Sequence, residues 1–145
     1  MHVRPATVHD LGALLDLYAQ LNADDPALER DRAIGVLEEI EMSPGNEILV
    51  LDDGDTVIGT TYLNVIPNLS RGARPYAVIE NVVITASRRG EKLGKLLMAA
   101  TLERARAHGC YKAMLQTGST TPVTHAFYRA CGFDPDAKTA YLVRW

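Results

Sequence analysis

The chain has 145 residues, of which 47% are hydrophobic and 23% charged, one domain's worth of core-forming material that excludes a two-domain machine, a collagen-like repeat and a disordered tail. Its formal charge is −3, and its two cysteines, Cys110 and Cys131, allow at most one bridge, so a disulfide scaffold is excluded and reduced, buried thiols are expected. No apolar run approaches the roughly 18 residues of a membrane span, and the first residues lack a signal peptide's apolar region, which predicts a cytoplasmic protein with no membrane partner.

Val3 to Thr7 reads as a short strand. A helix follows over Asp10 to Leu21, with Leu11, Leu14, Leu15 and Tyr18 at helical spacing, and a second is expected from Asp25-Pro26 to about Glu41. Glu47 to Leu51 and Thr56 to Ile66 are β-rich runs joined by Asp52-Asp53-Gly54-Asp55, which predicts an antiparallel hairpin. After a loop over Pro67 to Pro75, Val78 to Ile84 is a nearly continuous apolar strand interrupted by Glu80 and Asn81. A long helix is expected over Leu93 to His108 and a strand over Lys112 to Thr117. Thr121-Pro122 opens a last helix that Gly132 ends, and Thr139 to Trp145 reads as a final strand. The order is that of one mixed α/β domain over residues 1–145.

The small net charge conceals a division: residues 1–60 carry 13 acidic against 3 basic side chains, and residues 61–145 carry 5 against 12. Much of the basic excess sits in Ser87-Arg88-Arg89-Gly90-Glu91-Lys92-Leu93-Gly94-Lys95, where a strand gives way to the long helix. Such a junction offers unpaired N–H groups and the positive end of a helix dipole, which together hold phosphate oxygens. A phosphate-gripping G-x-x-x-x-G-K-[ST] loop is absent, because the glycine ahead of Gly94-Lys95 is one position too close and Leu96 replaces the hydroxyl. The dinucleotide pattern G-x-G-x-x-G is absent too. His2, His9, His108 and His125 share no ligand spacing, so no metal is expected. An acidic balance without interleaved aromatics argues against a nucleic-acid partner.

Arg89-Gly90-Glu91-Lys92-Leu93-Gly94 resembles the signature Gln/Arg-x-x-Gly-x-Gly/Ala of the GNAT superfamily of acyl-CoA-dependent N-acyltransferases, which follows the fourth strand and opens the third helix. Lys92 stands where that signature has glycine, and an ordinary helical backbone is expected there. A later signature of the family is matched by Phe127-Tyr128-Arg129-Ala130-Cys131-Gly132-Phe133. Ile79-Glu80-Asn81-Val82-Val83-Ile84 and Gly109-Cys110-Tyr111-Lys112 are similar to the branch containing glucosamine-phosphate N-acetyltransferases.

The resemblance implies a single-domain GNAT-like fold, a mixed central sheet of about six or seven strands with four helices, and a possible place as a homodimer. It implies acetyl-CoA as co-substrate, with backbone groups of Val82, Val83 and Ile84 on the pantetheine arm. Arg88, Arg89, Gly90, Glu91, Lys92, Leu93, Gly94 and Lys95 would surround the pyrophosphate. Thr121 would touch the cofactor where many members have asparagine, or serve only as a helix cap.

Tyr128 is the candidate acid, since a phenol with an ordinary pKa near 10 keeps its proton at neutral pH and can deliver it to a departing thiolate. The alternative is a ring packed in the core. Glu80 is the candidate base for the amine, because a partly desolvated carboxylate in an apolar strand needs a function or a partner. His125 on the Tyr128 helix is a second base candidate. Direct transfer from acetyl-CoA to a small-molecule or peptide amine is expected, with no acyl-cysteine at Cys131. A non-catalytic CoA-binding module of the same fold is the alternative. Arg71 and Arg74 would suit a phosphorylated or carboxylated amine, and the acidic first helices a polyamine or lysine.

Overall fold

The computed structural model describes residues 1–145. Its strands β1 (His2–Pro5), β2 (Asn46–Asp52), β3 (Val57–Ile66), β4 (Tyr76–Ile84) and β5 (Ala113–Met114) lie side by side in that order. The first four are antiparallel neighbours, and β5 joins β4 in parallel. Helices α1 (Leu11–Leu21) and α2 (Arg30–Met42) precede the β2–β3 hairpin, α3 (Leu93–Ala107) links β4 to β5, and α4 (Pro122–Ala130) follows β5. The fold is the expected mixed α/β sheet with four helices, with five strands in place of six or seven. No helix is long and apolar enough to cross a membrane.

Alternation along the strands distributes the helices. Ile48 and Val50 pack with Leu14 of α1 and Leu37 of α2. Leu51 and Ile58 meet Leu93 and Leu97 of α3, and Leu63, Ala77 and Ile79 meet Met98 and Ala105 of the same helix. Adjacent residues therefore serve opposite faces, with α1 and α2 on one and α3 on the other. Thr60 and Thr61, both fully buried, show how polar groups survive in this core. Thr60 Oγ1 donates to the Leu49 carbonyl at 2.8 Å. Thr101 Oγ1 donates to the Leu97 carbonyl at 2.9 Å, so the hydroxyl of Thr61, 2.8 Å away, is the donor to Thr101.

The start of the chain is fixed by charge. Arg4 donates to both oxygens of Asp10 at 2.7 and 2.8 Å and reaches Asp52 on β2 at 2.8 Å. Asp10 also accepts from the Thr7 N–H at 2.7 Å. The Arg4 hydrogen bonds hold the buried Asp10 carboxyl down at about 2. On α1 the buried stripe is Leu11, Leu14 and Leu17; the expected Leu15 and Tyr18 flank it, half-buried.

Three expected boundaries differ. Helix α2 begins at Arg30, where the Glu29 carboxylate caps it by accepting from Asp31 and Arg32 N–H. Residues 22–29 ahead of it are exposed, so they have no apolar face to bury and no reason to be helical. The strand expected over Lys112 to Thr117 is paired only at Ala113–Met114. The strand expected over Thr139 to Trp145 has no ladder at all: no strand of the same chain lies beside it, and Tyr141, Leu142, Val143 and Trp145 are exposed.

Candidate active site

The open side of β4 creates the site. Only Ala77 and Val78 face partners on β5, so from Ile79 onward the edge of β4 is unpaired. Amide groups of successive strand residues point to opposite neighbours. Thr85 N–H donates to Ile58 at the β3 side, and counting back places Val83 toward β3 and both Val82 and Ile84 toward the open edge. Of the three residues expected to meet a pantetheine arm, two have amides free to do so.

Asn81 explains its own presence in an apolar strand. Its φ is +52°, and the ladder shifts register opposite it, between Thr60 and Tyr62. This is a β-bulge, and asparagine tolerates the left-handed backbone better than the valines beside it. A lone asparagine ahead of two valines was the available sequence signal. Tyr18 of α1 lies over this bulge, and burial pushes its phenol above the ordinary value, with Thr60 and Asn81 beside it opposing the rise.

Beyond β4 the chain makes one 3₁₀ turn, Ala86–Arg88, and enters α3. The backbone N–H groups of Gly90, Glu91, Lys92, Leu93 and Gly94 donate to no protein acceptor, a crown of donors at the positive end of a 15-residue helix. Gly90 has φ +88° and open space where a Cβ would stand. Lys92 departs from expectation: its backbone is left-handed, with φ 63° and ψ 9°. The chain turns there as glycine would turn, because the N–H groups can converge only if that residue leaves the helical region. Gly94 serves packing instead, since a Cβ on it would stand 3.0 Å from the Phe127 ring of α4.

The basic side chains divide into two groups. Arg88 is engaged, donating to Glu91 and to Asp53 of the β2–β3 turn at 2.9 Å each, and so straps the loop to the hairpin. Arg89 reaches the Ile84 carbonyl through Nε at 3.2 Å. Arg89, Lys92 and Lys95 are exposed and belong to no ion pair.

Glu80 sits opposite Tyr62 in the ladder, and Tyr62 packs against the α1 and α2 core, so Glu80 faces that side of the sheet. It is exposed and outside every ion pair. The expected partial desolvation is absent, and so is the hydrogen-bonded structural carboxylate. Tyr128 is half-buried, its ring 5.0 Å from Phe127 and 6.1 Å from Phe133. Burial pushes its phenol up, and the charges of Cys131 and Glu80 add to the rise. The ring is held by α4 and the turn after it, while the hydroxyl lies in the field of Glu80.

The remaining candidates are occupied. The Thr121 hydroxyl caps α4 by accepting from Thr124 N–H, within a knot of Ser119, Thr121 and Thr124 hydroxyls. His125 Nε2 lies 2.8 Å from the Ser119 carbonyl, which can only accept, so that nitrogen carries a proton and pins the loop ahead of α4. Cys110 and Cys131 are free and half-buried instead of fully buried, and burial pushes both thiols up. A neutral thiol is a poor nucleophile. At the start of β4 lies a cluster that sequence reading only half found. Arg74 stacks 5.9 Å over Tyr111, and Lys112 Nζ lies 5.2 Å from the ring centre of Tyr76 and 5.4 Å from that of Tyr111.

The chain is similar to proteins with known names. The chain is 30% identical over 132 residues to a probable glucosamine 6-phosphate N-acetyltransferase of Oryza sativa subsp. japonica, covering 88% of this chain and 77% of that one. It is 36% identical over 77 residues to a glucosamine 6-phosphate N-acetyltransferase of Trypanosoma brucei brucei, 53% of this chain and about half (50%) of that protein's length. A solved candidate acetyltransferase from Agrobacterium tumefaciens str. C58 is 41% identical and superposes with a TM-score of 0.95 over 100% of both chains. Residues 14–133, which run from α1 through the crown of amides to the turn after Tyr128, match the Acetyltransferase (GNAT) family, and the chain belongs to it.

Proposed function

We propose that this chain transfers the acetyl group of acetyl-CoA to a primary amine by direct attack in a ternary complex, as a cytoplasmic homodimer. The observation that carries the reading is the convergence on one strand: the free amides of Val82 and Ile84, the donor crown of Gly90 to Gly94, Glu80 and Tyr128 all lie on β4 or against it. The donors suit a pyrophosphate and the open strand edge suits an amide-bearing arm, so acetyl-CoA fits the residues present. Its thioester supplies the activated acyl group. Glu80, directly or through water, takes the proton that an ammonium must lose before its nitrogen can attack. An amide on the open edge stands ready for the carbonyl oxygen. Tyr128, held protonated by burial, gives its proton to the departing sulfur.

For the acceptor we favour a phosphorylated amino sugar. Arg74 and Lys112 both stack on Tyr111 near the start of β4 without acidic partners, and the named relatives are glucosamine 6-phosphate enzymes. Acetyl-CoA consumption with glucosamine 6-phosphate, glucosamine, spermidine and lysine tests this. The phosphorylated sugar should be preferred, and Arg74→Ala should raise its KM while leaving that of glucosamine unchanged. Equal use of glucosamine with and without phosphate would sink the acceptor reading. CoA binding with no turnover on any amine would leave the chain a CoA-binding module.

A further inference from the structure

The last turn of α1 touches β4 at both ends of its open edge. Tyr18 lies beside Asn81 at the bulge. Gln20 reaches past the end of the strand, where its side-chain Oε1 accepts the Ala86 N–H at 2.8 Å and its Nε2 stands 3.5 Å from the Thr85 hydroxyl. Side chains two positions apart leave a helix in nearly opposite directions, so the pair brackets Val82 to Thr85. Ala86 opens the 3₁₀ turn after β4, and Thr85 ahead of it provides no side-chain cap. The cap comes instead from Gln20, 66 residues away in the chain. No other hydrogen bond joins α1 or α2 to residues 84–95.

That turn is the joint between two groups of donors. The open edge belongs to β4, which is laddered on β3, and the Leu93 and Gly94 amides belong to α3, which Leu93 and Leu97 anchor in the core. Gly90, Glu91 and Lys92 lie between and are exposed, so their amides keep their aim only while the turn ahead of them holds its place. Two ties come from the sheet: Thr85 N–H donates to the Ile58 carbonyl at 2.8 Å, and Arg88 donates to Asp53 at 2.9 Å. Gln20 supplies a third from the helical layer on the face opposite α3. An exposed bond held by a long side chain adds little net stability, because ordering the side chain offsets most of it. Its consequence is position. We infer that Gln20 is a positioning residue for the acyl donor, holding the turn that aims the loop amides at the pyrophosphate while the arm lies on β4. One ligand spans edge and loop, so each group grips well only when the other is in register with it. The inference rests on acetyl-CoA as the donor.

Gln20→Ala removes the acceptor, and Gln20→Glu keeps an acceptor oxygen on a side chain of the same length. Steady-state kinetics, calorimetry with CoA, melting and amide hydrogen exchange are measured on wild type and both variants. Positioning predicts that Gln20→Ala melts as wild type does, while its KM for acetyl-CoA and its Kd for CoA rise about 3- to 10-fold, the scale of one lost hydrogen bond. Its kcat at saturating acetyl-CoA and its KM for the amine should hold, and its Ala86 amide should exchange faster than in wild type. Gln20→Glu should match wild type at a salt concentration that screens its charge from the phosphates. Wild-type CoA affinity in Gln20→Ala, or a loss that Gln20→Glu fails to rescue, overturns the inference and leaves the donor reading standing. A joint fall in melting and kcat assigns Gln20 to structure alone and overturns the inference too. Wild-type protein that binds no CoA overturns the donor reading and the inference with it.

Discussion

The two ends of the β2–β3–β4 core treat charge in opposite ways. At β1, Arg4, Asp10 and Asp52 satisfy one another: each guanidinium donor has an oxygen, and Asp10 also takes the Thr7 amide. At the β4–α3 junction the donors are left over, with five successive amides and the side chains of Lys92 and Lys95 finding no protein acceptor. A closed network stiffens a fold, and an open one of a single sign waits for a ligand of the other. The difference separates charge satisfied within the chain from charge left open, without reference to any relative. It also predicts that substitutions in the first region change melting and spare chemistry, while removing charge in the second acts on ligand binding.

The largest effect should come from Tyr128→Phe. The ring contacts with Phe127 and Phe133 survive the change, so melting and acetyl-CoA binding should hold while turnover falls about 100-fold or more, the scale of a positioned proton transfer. Because the phenol is raised above its ordinary value, wild-type turnover should decline on the alkaline side only above about pH 10. That limb should vanish in the variant. Near-normal turnover, with chemistry shown to limit the rate, returns Tyr128 to packing alone.

Glu80→Gln comes next. Glu80 is exposed and unpaired, so its loss should change stability by no more than about 0.5 kcal/mol, while kcat/KM for the amine falls about 10- to 100-fold and the acidic limb of its pH profile changes. A second readout links it to Tyr128. The Glu80 charge helps to raise the phenol, so neutralising it should move the alkaline limb to lower pH. An unchanged acidic limb leaves the amine's proton to water or to the Nδ1 of His125, whose Nε2 is committed to the Ser119 carbonyl.

In the closed network, Asp10→Asn should cost about 1–3 kcal/mol, the scale of a buried hydrogen-bonding group left badly matched, without altering turnover. The pH dependence has a definite sign. The Asp10 carboxyl sits at about 2 against an ordinary 3.8, so its contribution is fully present above about pH 4 and is lost as the pH falls toward 2. Urea midpoints from pH 5 to 2 should converge for wild type and variant. Parallel curves across that range would remove Asp10 from the network's account.

How far the sequence revealed this molecule depended on whether a feature is local. Helices α1, α3 and α4 and the β2–β3 hairpin were legible because apolar spacing, Asp-Gly turns and a Thr-Pro start act within a few residues. The basic turn was legible for the same reason, whereas Tyr128 was singled out by the family resemblance alone. What stayed hidden depends on partners distant in the chain. Thr139 to Trp145 has the composition of a strand, but composition cannot supply a neighbouring ladder. The start of α2 at Arg30 instead of Asp25 was decided by where burial begins. The engagement of Arg88 with Asp53, 35 residues away, could not be read from a run of positive charges.

Lys92 gives the smallest effect and separates geometry from charge. Its left-handed backbone, φ 63°, costs an L-residue about 1–2 kcal/mol, and glycine removes that cost while losing roughly 0.5–1 kcal/mol of its own in ordering. Lys92→Gly should therefore raise stability by about 0.5 kcal/mol, against the usual expectation for a glycine near a helix start. Its ammonium is one of the unpaired charges at the amide crown, so its loss should also weaken CoA binding severalfold and flatten the salt dependence measured by calorimetry. Lys92→Met separates the two causes, since it removes the charge but keeps the side chain and the strain. If strain and charge act as described, Met matches Gly in affinity and salt dependence and falls below it in melting. Met binding CoA as tightly as wild type would mean that the amides alone grip the pyrophosphate, and equal melting of the Met and Gly variants would remove strain from the account of this turn.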